Sequence, residues 1–206
     1  WIQFGRLIHS IYSHNGKLPD LDWIQRLGLL AVKLGQVHAL RSDFLEPAKC
    51  EHLSKLFRNN HSMGAEDFMK LVESTAVPGF ISHFEDIEKN ALASASVGQV
   101  HIGTLKDGTK VVIKAVKKDV RKNFKRDVSS VRGLFKFISF FYRKLKRVGN
   151  PEAILNDIEE YTLSELDLNK EVDGVKVLSS IKEEDKDKYD FSKIEFANVH
   201  ESLCNE

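Results

Sequence analysis

The chain is 206 residues long, 42% apolar and 30% charged, the make-up of a soluble globular protein with length for one full domain, or for one and part of another. Its formal net charge of +1 excludes a general electrostatic argument for nucleic acid. Cys50 and Cys204 are its only cysteines, which excludes a disulfide framework. No His or Cys spacing matches a zinc site, so no metal is assigned to this chain.

In chain order, residues 1–14 read as a short helix stopped by Asn15-Gly16 and Pro19. From Asp22, the apolar residues Trp23, Leu27, Leu30, Leu34 and Val37 recur at helical spacing, with Asp20 or Asp22 as N-cap. Two further helices are expected over 43–57, where Pro47 suits the first turn, and over 65–75, ending at Pro78-Gly79.

The period then shortens to that of strands. Residues 96–104 and 109–117 are rich in Val, Ile and Thr, and the Asp107-Gly108 pair between them predicts an antiparallel hairpin. Residues 118–147 return to a helical stripe of Val120, Phe124, Val128, Val131, Phe135, Ile138, Tyr142 and Leu145, with a basic opposite face. Residues 117–147 carry about +10, twelve basic residues against two acidic, whereas residues 152–206 carry about −10.

After the break at Gly149-Asn150-Pro151, one helix is expected from about 152 to 181, with stripe positions Ile154, Ile158, Tyr161, Leu168, Val172 and Val175. The run KEEDKDKYD reads as a solvated turn, since it lacks the glycine of a calcium loop. Residues 191–199 are expected to begin another strand. No apolar run reaches the roughly 20 residues of a membrane span. With Trp1 first and a strand barely begun at the other end, the sequence reads as a piece of a longer protein.

Three constellations bear on chemistry. A loop that wraps phosphates needs inward N–H groups and small side chains, a size condition that Ala93, Ser94, Ala95, Ser96 and Gly98 meet without the usual glycines. In VVIK, strand alternation puts Val112 and Lys114 on one face and Val111 and Ile113 on the other. Taken alone, Lys114 is an edge-strand lysine and the Ala-Ser segment a tight turn. Together, in strand, loop, strand, lysine order, they fit a protein-kinase-like hairpin whose lysine holds the α- and β-phosphates and pairs with a helix glutamate.

Partner carboxylates lie in SELDLNKEVDGV. Glu165 interrupts an apolar stripe, and Asp167 and Glu171 share a helical face, a like-charge arrangement that suits a nearby cation, either Lys114 or a metal. In AVKLGQVHAL, Gly35 inside a helix costs roughly 1 kcal/mol relative to alanine and suggests close backbone packing beside the polar Lys33 and Gln36.

KLGQ at 33–36, ASASVGQVH at 93–101, VVIK at 111–114 and ELDLNKE at 165–171 together resemble the UbiB-like atypical kinases, also called the aarF-domain-containing or ADCK family, in order and approximate spacing. The resemblance covers about residues 20–200. It implies an α+β fold: a helical N-terminal extension over 1–80, then a kinase-like N-lobe over 81–206, with hairpin 92–117, basic helix 118–147 and a Glu-bearing helix 152–181. The C-lobe is absent from this chain.

The same resemblance implies site roles. Lys114 and Glu171 are the catalytic pair, Lys114 as the phosphate-contacting lysine and Glu171 as the glutamate that pairs with it. Ala93, Ser94, Ala95, Ser96, Val97 and Gly98 are the nucleotide loop, standing in for an alanine-rich one. Lys33, Gly35 and Gln36 form a Lys-x-Gly-Gln signature facing the cleft, opposed by the Glu165 and Asp167 of a Glu-x-Asp signature. The departures are serines where the family shows alanines and, after Glu171, Val-Asp-Gly-Val in place of an alanine-rich stretch.

The implied cofactor is ATP or ADP with Mg2+, whose metal ligands belong to the missing C-lobe. No His-x-Asp-x-x-x-x-Asn or Asp-Phe-Gly motif occurs in the sequence, so this piece by itself is not expected to transfer a phosphoryl group. The implied parent is an atypical kinase or ATPase supporting ubiquinone biosynthesis or lipid homeostasis. Its expected location is intracellular and peripheral to a mitochondrial, plastid or bacterial inner membrane. Its partners would be nucleotide and quinone-biosynthesis proteins or a lipid surface, with no nucleic acid. The alternative is a pseudokinase scaffold that binds a protein or an anionic membrane through helix 117–147, with Phe135, Phe137, Phe140 and Phe141 beside its basic residues.

Overall fold

A computed structural model describes residues 2–13, 16–58, 62–141 and 151–205. Asn15, Gly149, Asn150 and the stripe positions Tyr142 and Leu145 lie outside the described residues, as do the side chains of Ile138, Phe140 and Phe141.

The N-terminal part is helical: α1 (Ile2–Tyr12), α2 (Leu21–Leu27), α3 (Leu29–Ala39), α4 (Pro47–Ser54) with a 3-10 turn at Lys55–Phe57, and α5 (Ala65–Thr75). Asp20 caps α2 by accepting the Trp23 N–H at 3.0 Å. The helix expected to run on from Asp22 is instead two. Gly28 adopts φ 107°, a left-handed conformation that ends α2, and its carbonyl accepts the Val32 N–H that opens α3. The apolar spacing continues through both halves, so periodicity alone does not reveal the break.

The sheet is built around β3 (Gly98–Leu105). It is flanked on one side by β4 (Lys110–Val116) and on the other by β1 (Phe84–Ile87) at one end and β2 (Ala93–Ser94) at the other. All pairings are antiparallel, with Thr104 opposite Lys110 and Gly98 opposite Val116. The predicted hairpin forms, its turn held by Gly108 at φ 85° and by the Asp107 carboxylate accepting the Thr109 N–H at 2.9 Å. A Cβ on Gly103 would lie 2.7 Å from the Phe84 ring, so this glycine lets Phe84 lie flat on the sheet.

The C-terminal part comprises α6 (Val120–Phe141), α7 (Pro151–Glu165) and α8 (Asn169–Glu184), then a 3-10 turn at Glu201–Leu203. The single helix expected over 152–181 is therefore α7 and α8. The chain turns at 166–168, where Leu166 is buried in the core and Asp167 accepts the Asn169 N–H at 3.3 Å at the start of α8. The buried stripe of α7 is Leu155, Ile158 and Thr162, continuing to Leu166, whereas the expected Ile154 and Tyr161 are exposed. The strand expected over 191–199 does not form. Residues 191–199 pair with no strand among the described residues, and the Ile194 carbonyl takes the Lys182 ammonium at 2.7 Å.

Three apolar clusters hold these elements. The first joins α1 to α4 around Leu7, Ile24 and Leu53. The second sets Leu29 and Leu30 of α3 against Val97, Phe124 and Val128 of α6, and Leu155 and Ile158 of α7. The third packs Phe68 and Val72 of α5 on Phe84, Leu105 and Ile113 of the sheet. Since α3 contributes to both the first and second clusters, the helical extension and the lobe share core. Among the described residues, no helix is long and apolar enough to cross a membrane.

Candidate functional site

Strand register assembles the site. Lys114 on β4 lies directly opposite Val100 on β3, and Val100 directly opposite Ala93 on β2. Residues directly opposed in antiparallel strands share a face, so Ala93 and Lys114 lie on the same side of the sheet, two strand spacings or roughly 10 Å apart. The predicted alternation on β4 holds: Ile113 is buried, and Val112 and Lys114 are exposed on the other side.

From that face the Lys114 ammonium pairs with the Glu171 carboxylate in the first turn of α8, 57 residues on. The pair is solvent-accessible, with the two side chains 35% and 57% exposed. A second pair lies on the other side of the α7–α8 turn. Lys33 of α3 donates to Glu165 Oε2 at 2.5 Å, and its ammonium also stands 5.4 Å from the centre of the Tyr161 ring. Two lysines, one from the helical extension and one from the sheet, thus hold carboxylates on either side of residues 166–168. Asp167 sits between them, its carboxylate accepting the N–H of Asn169, the first residue of α8.

Gly35 and Gln36 serve packing. A Cβ on Gly35 would come within 2.5 Å of Leu56 Cδ1, and Gln36 Nε2 donates to the Leu56 carbonyl at 2.9 Å. These two residues seat α3 on the 3-10 turn after α4, and Lys33 alone of the signature reaches the carboxylates of α7.

The Ala-Ser loop closes with the Ala95 N–H donating to the Gly98 carbonyl at 2.9 Å. Its residues use ordinary negative φ values: Asp119 is the only described non-glycine residue with positive φ. Gly98 serves a close approach, since a Cβ there would meet the Ala115 carbonyl at 2.8 Å. Val97 is 7% exposed and packs into the second cluster. Among the described residues, the N–H groups of Ser96 and Val97 make no intramolecular hydrogen bond. They remain as donors for an anion at the loop.

Sequence reasoning missed two parts of the site. Lys117 Nζ donates to the Ala95 carbonyl at 3.0 Å and to Ser94 Oγ at 3.2 Å, and burial holds its ammonium below the usual lysine pKa. Gln99 and His101, both buried, tie β3 to the segments that flank it. Gln99 exchanges hydrogen bonds with the Met63 backbone at 2.8 and 3.1 Å and donates to His101 Nε2 at 2.8 Å. His101 Nδ1–H donates to the Glu88 carbonyl at 2.8 Å, and its ring stacks on Phe68. The available signal for both was strand alternation, which points Gln99 and His101 to the side opposite Val100. Among the described residues, no group of three or more His, Cys, Asp or Glu side chains is arranged to hold a metal ion.

With this geometry in place, comparison with known proteins is informative. Residues 55–205 match the model of the ABC1 atypical kinase-like domain. A probable protein kinase UbiB of Haemophilus ducreyi is 32% identical over 154 residues, 72% of this chain and 28% of the relative. The protein of the same name in Aeromonas salmonicida is 30% identical over 177 residues, 81% of this chain and 32% of the relative. The chain therefore spans about a third or less of the length of these curated relatives.

Proposed function

We propose, on the premise that this chain belongs to the ABC1 atypical kinase-like family, that it is the nucleotide-binding lobe and helical extension of a UbiB-type atypical kinase or ATPase. The observation that carries this reading is the Lys114–Glu171 pair, standing on the sheet face that also bears Ala93 of the small-residue loop.

In this reading ATP or ADP binds beneath the loop and supplies the phosphoryl chemistry. Lys114 neutralises and orients the α- and β-phosphates, Glu171 holds the Lys114 ammonium in place, and the Ser96 and Val97 N–H groups donate to a phosphate oxygen. Ser94 and Ser96 add hydroxyl donors that alanines would lack. The Mg2+ ligands and the catalytic base are assigned to the rest of the parent protein. The parent's support of ubiquinone biosynthesis or lipid homeostasis, at an intracellular membrane surface, is part of the same proposal and draws on the UbiB name of the relatives.

The scaffold reading has less support. The helix it needs, α6, buries Phe124, Val128 and Val131 in the second cluster, leaving Phe137 as the largely exposed aromatic among its described side chains. Its exposed face carries Arg121, Lys122, Lys125 and Arg126.

The test is Lys114→Ala in the full-length parent protein. The exposed pair contributes only about 0–1 kcal/mol, so the nucleotide-free melting temperature should hardly move. The nucleotide-induced stabilisation, about 2.7 kcal/mol when ligand stands at 100 times Kd, should disappear. An unchanged nucleotide shift would sink the assignment.

A further inference from the structure

We infer that Lys117 is the positioning residue of the Ala-Ser loop, holding it in the shape that presents the Ser96 and Val97 N–H groups to the phosphates of a nucleoside di- or triphosphate. The inference rests on the nucleotide reading above and extends it to a residue which that reading does not use.

A glycine-rich loop turns by adopting left-handed backbone conformations and brings its N–H groups to the phosphates without side chains in the way. This loop has no glycine between Ala93 and Val97, and the one at its end, Gly98, is already committed to close contact with β4. Its shape therefore has to be held from outside. Lys117 does so at three points. Its backbone N–H donates to the Val97 carbonyl at 3.0 Å, and its ammonium donates to the Ala95 carbonyl and to Ser94 Oγ. Carbonyls of Ala95 and Val97 are thus drawn to Lys117 on either side of Ser96.

Position explains why Lys117 can do this. Gly98 lies opposite Val116, so Lys117 follows directly at the end of the sheet where β3 enters the loop. Lys114, three residues earlier, is held by Glu171 and, among the described residues, makes no hydrogen bond to the loop. The two lysines divide the work: Lys114 meets the phosphates, and Lys117 shapes the loop while adding positive charge beneath the anion. The half-buried ammonium donates to carbonyl and hydroxyl oxygens in place of water, which supports a fixed location over a solvated surface lysine.

The test compares ADP and adenosine binding to the full-length parent protein, with Lys117→Met, Lys117→Arg and Ser94→Ala variants, by calorimetry and ligand-observed NMR. Lys117→Met should weaken ADP by about tenfold, the equivalent of one charge-assisted hydrogen bond. Adenosine, which has no phosphate, should bind as before, and the nucleotide-free melting temperature should be unchanged. Lys117→Arg should recover most of the ADP affinity, and Ser94→Ala should lose a smaller part.

Equal weakening of ADP and adenosine, or a fall in the nucleotide-free melting temperature with ADP affinity retained, makes Lys117 merely structural and overturns the inference. Unchanged ADP affinity in Lys117→Met overturns it while leaving the nucleotide reading intact. A wild-type protein that binds neither ligand overturns both.

Discussion

Lys33, in the middle of α3, and Glu165, the last residue of α7, meet with the ammonium 2.5 Å from the carboxylate although 132 residues separate them in the chain. Lys33 is nearly buried, its side chain 10% exposed against 28% for Glu165. The pair joins the helical extension to the segment that carries Glu171, and so bears on the position of the Lys114–Glu171 pair through the short turn at 166–168.

Removing one partner of such a pair leaves a charge in a site that excludes water. Glu165→Ala should therefore destabilise the protein by about 1–3 kcal/mol, below the cost for a fully buried pair because Glu165 keeps some contact with solvent. The double variant Lys33→Met/Glu165→Leu should recover to within about 1 kcal/mol of wild type, since no charge is then stranded. Urea denaturation of the four proteins in the cycle reads this directly. Additive single effects would mean that the ion pair contributes nothing to the docking of α3 on α7.

Gly35 offers a second test of the same junction. A methyl group there would sit 2.5 Å from Leu56 Cδ1, and Leu56, in the turn after α4, is fully buried against α3. Gly35→Ala gains about 1 kcal/mol of helix propensity and meets an overpacking cost of about 1–3 kcal/mol, so the net effect should be a loss of about 1 kcal/mol. In a Leu56→Val background, which removes the opposing methyl, the same substitution should become neutral or stabilising. Thermal melts of both pairs check it, and a stabilising Gly35→Ala in the wild-type background would refute the close packing.

How much of this was legible beforehand depended on what each feature leaves in a sequence. The Asp107-Gly108 turn and the Phe124, Val128 and Val131 stripe carry local signals, and the hairpin and α6 appear where those signals place them. The VVIK and ELDLNKE motifs led to Lys114 and Glu171 as partners, a pair that no local period could connect. The helix breaks at Gly28 and at 166–168 were hidden because the apolar spacing runs on through both. The stripe of α7 holds at Ile158 but falls one position short on either side, since Ile154 and Leu155 are equally apolar and only the packed core chooses Leu155, and Thr162 in place of Tyr161. Strands β1 and β2 are too short to show a period. Lys117 was hidden for a different reason: its significance lies in reaching a loop more than twenty residues earlier, a relation that exists only once β3 and β4 are in register.

His38 gives the pH dependence of the extension. Its ring is held on α3 by Nδ1–H donating to the Leu34 carbonyl at 2.7 Å and by an edge contact with Tyr12, and Arg41 stands near. Burial is the main cause that lowers its pKa from the ordinary 6.5, and the Arg41 charge acts in the same direction, against the Leu34 hydrogen bond. A histidine whose folded pKa is depressed binds fewer protons folded than unfolded once the pH falls below 6.5. Its contribution to stability is full above that value and declines as the pH drops from there toward the lower folded pKa. His38→Gln is neutral throughout and should flatten that decline. The difference in melting temperature between wild type and variant should thus be constant above neutrality and shift in favour of the variant between pH 6.5 and 5. Melting curves at half-unit intervals measure it, and parallel profiles for the two proteins would show that His38 titrates alike in the folded and unfolded states.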